Sequence, residues 1–164
     1  MIKLVVLDVD GCLTDGAIIY NSEGQESKNF NVKDGLAISS WMKLGNDVAI
    51  ITGRSSQIVQ KRAQELGIKH LYQGVKDKKS LLDELLVSMQ ISLSEVAAIG
   101  DDLNDYKMLK SVARSFTPKD GARAICSLVQ TQLTTQGGKG AVREMLEILI
   151  DENNQRAEFE ALWY

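Results

Sequence analysis

The sequence predicts an α/β fold, an open parallel sheet flanked by helices with a small protruding hairpin. Three observations carry this. Short, nearly continuous apolar runs alternate with helix-length segments, the pattern of parallel strands joined by helical crossovers. Polar clusters stand at the ends of three such runs: Asp8/Asp10, Thr52-Gly53-Arg54 and Asp101/Asp102. The chain has 164 residues, a length that suits one domain.

Residues 2–9 are apolar except for Lys3 and Asp8, and Gly11 follows. Such a run suits a strand buried on both faces. Residues 17–20 and 27–32 flank the turn-rich Asn21-Ser22-Glu23-Gly24, which predicts a β-hairpin over about 17–32. Asp34 then caps a helix to about Leu44, stopped by Gly45. Residues 48–51 form a second buried strand, broken at Thr52, and a helix runs on to Gly67. A short strand at 68–72 and a helix at 77–89 come next. The strand at 96–99 ends on Gly100-Asp101-Asp102, and a helix covers 104–110. Strands at 112–116 and 128–134 enclose a helix at 119–127. Gly137-Gly138-Lys139-Gly140 opens a last helix to about Ile150, and 151–164 is a tail bearing Phe159, Leu162, Trp163 and Tyr164. No repeat or linker divides the chain, so 1–164 reads as a single domain.

Composition removes several classes. Hydrophobic residues make up 44% and charged residues 25%, which excludes a disordered chain. A net charge of −3 argues against nucleic acid or an anionic membrane as partner. Cys12 and Cys126 are the only cysteines, too few for a disulfide framework or a four-cysteine zinc site. The opening residues carry neither a secretory signal nor a spanning segment, and the expected location is the cytoplasm.

Asp8 and Asp10 stand two apart where a strand ends, so strand periodicity sends both to one side. Two adjacent carboxylates repel, and one must bind a cation or hold a proton. One then serves as nucleophile and metal ligand and the other as acid and base. Asp101, Asp102 and Asp105 add further carboxylates after another strand, and hard oxygen ligands suit Mg²⁺. Thr52 and Gly53 offer a hydroxyl and backbone N–H groups to a phosphate oxygen. Of Lys76, Lys78 and Lys79, one neutralises an anion and the others are solvated charges. Alone, each cluster is also a solvated acidic pair, an acidic helix start or a plain N-cap. Their recurrence at successive strand ends favours a ligand site, which in open α/β sheets lies beyond the carboxyl ends of the strands.

In order, DVDGCLT, the Thr52 strand end, Lys78 and GDDLND resemble the four motifs of haloacid dehalogenase-like (HAD) phosphatases over residues 8–105. The resemblance implies a Rossmann-like HAD fold. It makes Asp8 the nucleophile that becomes an aspartyl phosphate. Asp10 is the acid/base and gives its backbone carbonyl to Mg²⁺. Thr52 and Lys78 hold the phosphoryl oxygens. Asp101 is a further Mg²⁺ ligand, with Asp102 and Asp105 supporting it. A receiver-type, non-catalytic phosphoacceptor domain shares the residue types but not the order, because there Thr and Lys follow the phosphoacceptor and here Thr52 and Lys78 precede Asp101.

Neither 15–47 nor 55–77 is long enough to fold as an inserted cap domain. The strings FNVKDG, AIITGRSS, LYQGVKDK and GGKGAVRE narrow the resemblance to the capless phosphatases of 3-deoxy-D-manno-octulosonate 8-phosphate (KDO 8-phosphate), which serve lipopolysaccharide sugar synthesis. The resemblance implies a homotetramer with shared active sites. It implies a substrate loop of Asn31, Val32, Lys33, Asp34 and Gly35, with Gly53, Arg54, Arg62, Lys78 and Asp10 also meeting the phosphorylated sugar acid. Ser39 departs from it, standing where relatives often carry a basic residue, with Lys43 one turn later. A sister branch acts on a nine-carbon ulosonate 9-phosphate and tends to have an acidic residue after the TG pair; Arg54 favours the eight-carbon substrate.

Overall fold

Leu4–Leu7 has no polar face, and the strand it forms, β1, is buried on both sides in the computed structural model, which describes residues 1–164. Val96–Ile99 (β6) is buried in the same way, and Asp47–Ile51 (β4) along all but its first residue. With His70–Tyr72 (β5), Arg114–Thr117 (β7) and Thr131–Gln132 (β8), they form a six-stranded parallel sheet in the order β5-β4-β1-β6-β7-β8. Successive residues face opposite sides of a strand, so the sheet has two cores. Val5, Leu7, Val48, Ile50, Ala97 and Ile99 pack on one face against Val32–Lys43 (α1), Gln57–Leu66 (α2) and Ala141–Glu152 (α6). Leu4, Val6, Ala49, Ile51, Val96 and Ala98 pack on the other against Lys78–Met89 (α3), Tyr106–Ser111 (α4) and Arg123–Cys126 (α5). Trp41 of α1 is wholly buried, and its indole N–H donates to the Asp47 carbonyl at 3.0 Å. Truncating such a side chain costs about 3–5 kcal/mol.

From β1 the chain steps outward to β4 and β5, then returns to β6 on the other flank and continues to β7 and β8. The order therefore reverses at β1, and the crevice at its carboxyl end is where a ligand has room. Away from that crevice, Asn153 accepts from the Ile2 N–H at 2.9 Å and donates to the Ile2 carbonyl at 2.8 Å. This ties the start of the sheet to the end of α6.

The elements are those the sequence predicts, with shorter limits in several places. β1 stops at Leu7 because Val9–Leu13 coils into a single turn in which Gly11 takes φ +99°. The hairpin forms, but its strands are only Ile19–Tyr20 (β2) and Glu26–Ser27 (β3). Its second arm does not reach residue 32, because Asn31 turns the chain into α1 by accepting from the Lys33 N–H at 2.9 Å. Asn31 is thus the N-cap expected of Asp34, which lies inside the first turn. The expected helix at 104–110 begins as a 3-10 turn, Leu103–Asp105, set by a capping box between Asp102 and Asp105. β7, α5 and β8 are shorter or shifted relative to the expected 112–116, 119–127 and 128–134. The region 151–164 is not merely a tail: α6 runs to Glu152, and Arg156–Ala161 forms α7, with Phe159 buried on the core. No domain is inserted in either place where a cap would lie.

Candidate active site

Asp8 follows β1, Thr52 follows β4 and Asp101 follows β6, and these strands are neighbours in the sheet. The register therefore brings three separate sequence clusters to one crevice. Asp8, Asp10, Thr52, Gly53, Arg54, Asp101, Asp102 and Asn104 line a cavity of about 190 Å³. Asn104 is the one lining residue not predicted as part of the site, although it belongs to the GDDLND string.

Lys78 is the first residue of α3, and its side chain is almost completely buried behind this cavity. Its ammonium lies 2.6 Å from Asp8 Oδ1 and 2.5 Å from Asp105 Oδ1. Burial works against that charge, but the two carboxylates outweigh it and hold the pKa above the usual lysine value. Asp105 is equally buried, and its second oxygen accepts the N–H of Asp101 at 3.1 Å and that of Asp102 at 3.4 Å. It therefore fixes both Lys78 and the loop that carries Asp101. Lack of a side chain is needed beside that loop, since a Cβ on Gly11 or on Gly100 would overlap the Asp101 or Asp105 carboxylate.

Burial, with Asp105 and Asp101 nearby, pushes the Asp8 carboxyl up to about 7 despite Lys78. Burial, then Asp105 and Asp102, push Asp101 to about 7. One oxygen of Asp8 sits on Lys78, and the Asp101 carboxylate accepts no hydrogen bond from the protein. Asp8, Cys12 and Asp101 each place a ligand atom within 4.8 Å of the others. Burial, followed by Asp8, pushes the Cys12 thiol well up, so it stays protonated. The hard pair Asp8/Asp101, crowded and short of counter-charge, fits a divalent cation bound through oxygen.

Thr52 is buried at the end of β4 with its backbone tied to Tyr72 and Val75. Arg54 stands at the rim, its Nη2 donating to Tyr20 Oη at 3.2 Å and Glu26 Oε1 at 3.1 Å. A side chain not predicted for the site completes it: the ammonium of Lys28, on the hairpin, pairs with Asp10 Oδ1. A lysine next to a turn-rich stretch reads as a solvated charge, so only the fold reveals this contact.

The expected substrate loop is divided. Val32 and Lys33 are exposed at the start of α1. Asn31, Asp34, Gly35 and Arg62 line a second, much smaller hollow with Leu13, Phe30, Ile38 and Leu66. Asp34 is buried, and its Oδ1 accepts the Arg143 N–H of α6 at 2.7 Å. Burial pushes its carboxyl up to about 6, offset by that hydrogen bond. Arg62 lies over the Phe30 ring, 5.8 Å from its centroid, in space that a Cβ on Gly35 would occupy. Ser39 and Lys43 line a separate groove with Asp47, Val48 and His70, at the opposite ends of β4 and β5.

The GGKG stretch also serves the site. Gly138 N–H donates to the Cys12 carbonyl at 3.0 Å, and a Cβ on Gly137 would overlap the Gly11 carbonyl. The loop before α6 therefore presses backbone to backbone on the turn that carries Asp8 and Asp10.

Comparison with known proteins places the chain within a family. A family model described as haloacid dehalogenase-like hydrolase matches residues 25–113. The chain is 40% identical over 149 residues to 3-deoxy-D-manno-octulosonate 8-phosphate phosphatase KdsC of Yersinia pestis, covering 91% of this chain and 80% of that one. The crystal structure of the Moraxella catarrhalis 3-deoxy-D-manno-octulosonate 8-phosphate phosphatase, in complex with magnesium ion, phosphate ion and KDO, superposes with a TM-score of 0.94. Its identity is 44%, and the match covers 98% of this chain and 93% of that one. A probable yrbI family phosphatase from Pseudomonas syringae pv. phaseolica 1448a gives a TM-score of 0.96 at 38% identity, covering 99% of this chain and 92% of that one.

Proposed function

The chain belongs to the haloacid dehalogenase-like hydrolases, and from that membership we propose that it is a Mg²⁺-dependent phosphatase converting KDO 8-phosphate to KDO and inorganic phosphate. The observation that carries this is the state of Asp8: one oxygen is held on Lys78 while the carboxylate lines an open polar cavity shared with Asp101 and Thr52. A carboxylate so placed is a nucleophile restrained in one orientation.

In the first step an Asp8 oxygen bonds to phosphorus as the bond from phosphorus to the sugar oxygen breaks, and Asp10 gives that oxygen its proton. In the second, a water gives its proton to Asp10 and attacks the aspartyl phosphate, releasing phosphate and restoring the Asp8 carboxylate. Thr52, Gly53 and Lys78 bind the phosphoryl oxygens, and Lys78 keeps the buried carboxylates compensated between steps. Asp8, the Asp10 carbonyl and Asp101 would hold Mg²⁺, which supplies charge neutralisation between the phosphoryl group and the acidic site. Asp102 and Asp105 keep that loop in shape. Arg54, with Arg62 and the Asn31–Gly35 turn from this or a neighbouring copy, meets the sugar acid; a planar guanidinium suits a carboxylate. A homotetramer with shared sites, a cytoplasmic location and a place in lipopolysaccharide sugar synthesis belong to the same reading. The open cavity and the absence of a cap support the shared sites.

The test is phosphate release from KDO 8-phosphate, the nine-carbon ulosonate 9-phosphate and simple sugar phosphates, with Mg²⁺ and after chelation. KDO 8-phosphate should give the highest kcat/KM by about tenfold or more, chelation should abolish it, and Asp8→Asn should lower it on the order of 10⁴-fold or more. A better turnover of another panel member, or full activity without metal, would overturn the assignment.

A further inference from the structure

Lys28 takes no part in the mechanism above, yet its side chain is only 2% exposed on a hairpin that is otherwise open to solvent. Taking an ammonium out of water costs several kcal/mol unless it is well paired. Here it contacts two carboxylates, Asp10 Oδ1 and, at 3.3 Å, Glu26 Oε1. Glu26 is anchored in its turn. Its Oε2 accepts from Ser56 Oγ at 2.8 Å, and its Oε1 accepts from Arg54 at 3.1 Å. The Ser56 hydrogen bond, with Lys28 and Arg54, holds its carboxyl below the usual value, so it stays ionised.

Glu26 is shared between Lys28 and Arg54, so Asp10 supplies the second negative charge facing the two cations. The same contact also fixes orientation. Asp10 is half-buried at the cavity wall, and no other protein donor reaches its carboxylate. Without Lys28 that carboxylate is free to turn. With Lys28 one oxygen is held, and the other remains available to carry a proton to a leaving oxygen. A chain of contacts then runs from Asp10 through Lys28 and Glu26 to Arg54, at the cavity rim.

We infer that Lys28 is a positioning residue, which orients the Asp10 carboxylate for proton delivery to the leaving group and couples it through Glu26 to Arg54. The inference rests on the phosphatase reading above.

The experiment compares kcat and KM of wild type, Lys28→Met and Lys28→Arg on two esters with Mg²⁺ present. KDO 8-phosphate leaves as an alkoxide that needs the proton, whereas p-nitrophenyl phosphate leaves without one. Lys28→Met should lower kcat on KDO 8-phosphate by about 30-fold or more and on the aryl ester by less than about threefold, within the range of general acid catalysis. KM should move little. Lys28→Arg, which keeps the charge but not the geometry of the ammonium, should lower the sugar-phosphate kcat by about three- to tenfold while leaving the aryl ester unaffected. A lysine that merely staples the hairpin would slow both esters alike or neither, and either result overturns the inference. If Lys28→Met loses its native circular dichroism, Lys28→Arg decides alone: a selective loss on the sugar phosphate supports the inference, and an equal effect or none overturns it. Wild-type protein that hydrolyses neither ester would instead overturn the phosphatase reading.

Discussion

Asp8 and Asp101 have carboxyls pushed up to about 7, in both cases first by burial. Their unfolded values sit near 3.8. Between those limits the folded state binds protons that the unfolded state has released, so stability falls as pH rises through the window. The melting temperature measured in chelator should therefore drop from about pH 5 to about pH 8. Mg²⁺ should raise it most at the alkaline end, where the cation no longer competes with protons. Thermal melts at several pH values with and without Mg²⁺ check this. A metal-free melting temperature that climbed across the window would show that both carboxylates ionise without penalty. The compensating charge of Lys78 already touches Asp8 and Asp105, so the deficit falls on Asp101, which has no basic side chain in contact.

Among the elements, the loop before α6 gives the most direct test of how backbone packing serves the site. Gly137 lies against the Gly11 carbonyl, so a methyl group there must displace one backbone or the other. Gly137→Ala should keep the circular dichroism spectrum and lose on the order of 10²-fold in kcat, as misplacement of reacting groups does. Undiminished turnover would show that the loop yields without moving Asp8 or Asp10. Much of this architecture was legible beforehand. Unbroken apolar runs located β1, β4 and β6, and the polar residues ending them located Asp8, Thr52 and Asp101, because both signals are local. Contacts between distant segments were not legible. Asp34 resembles a cap for its own helix, and in the structure it accepts from α6 instead. Lys28 resembles a hairpin surface charge and turns inward to Asp10. Gly35, expected in the substrate loop, lies in the first turn of α1 packed against the Arg62 guanidinium.

For the molecule as a whole, the hairpin is the unsatisfied part. Ile18 is 61% exposed and Tyr20 57%, and Val32 and Leu36 at the start of α1 are exposed as well. The two short strands pair only with each other, and such exposed apolar side chains and edges invite another chain. Ile18→Asp with Ile19→Asp should split the proposed homotetramer in light scattering and lower KDO 8-phosphate turnover more than that of a small aryl ester. The fold should survive by circular dichroism, since neither residue is part of either core. A wild-type protein that is monomeric and fully active at assay concentration would end the shared-site reading.

The composition of the cavity wall has a consequence for inhibition. All eight lining residues are polar, charged or glycine, whereas pockets that take drug-like molecules are mostly apolar with a few polar anchors. A competitive compound must therefore draw its affinity from charge and from the cation, and highly charged compounds cross lipid bilayers poorly. Cell-permeable chemistry has better footing at the hairpin, where Ile18 and Tyr20 offer hydrocarbon surface and where displacement would reach Asp10 through Lys28.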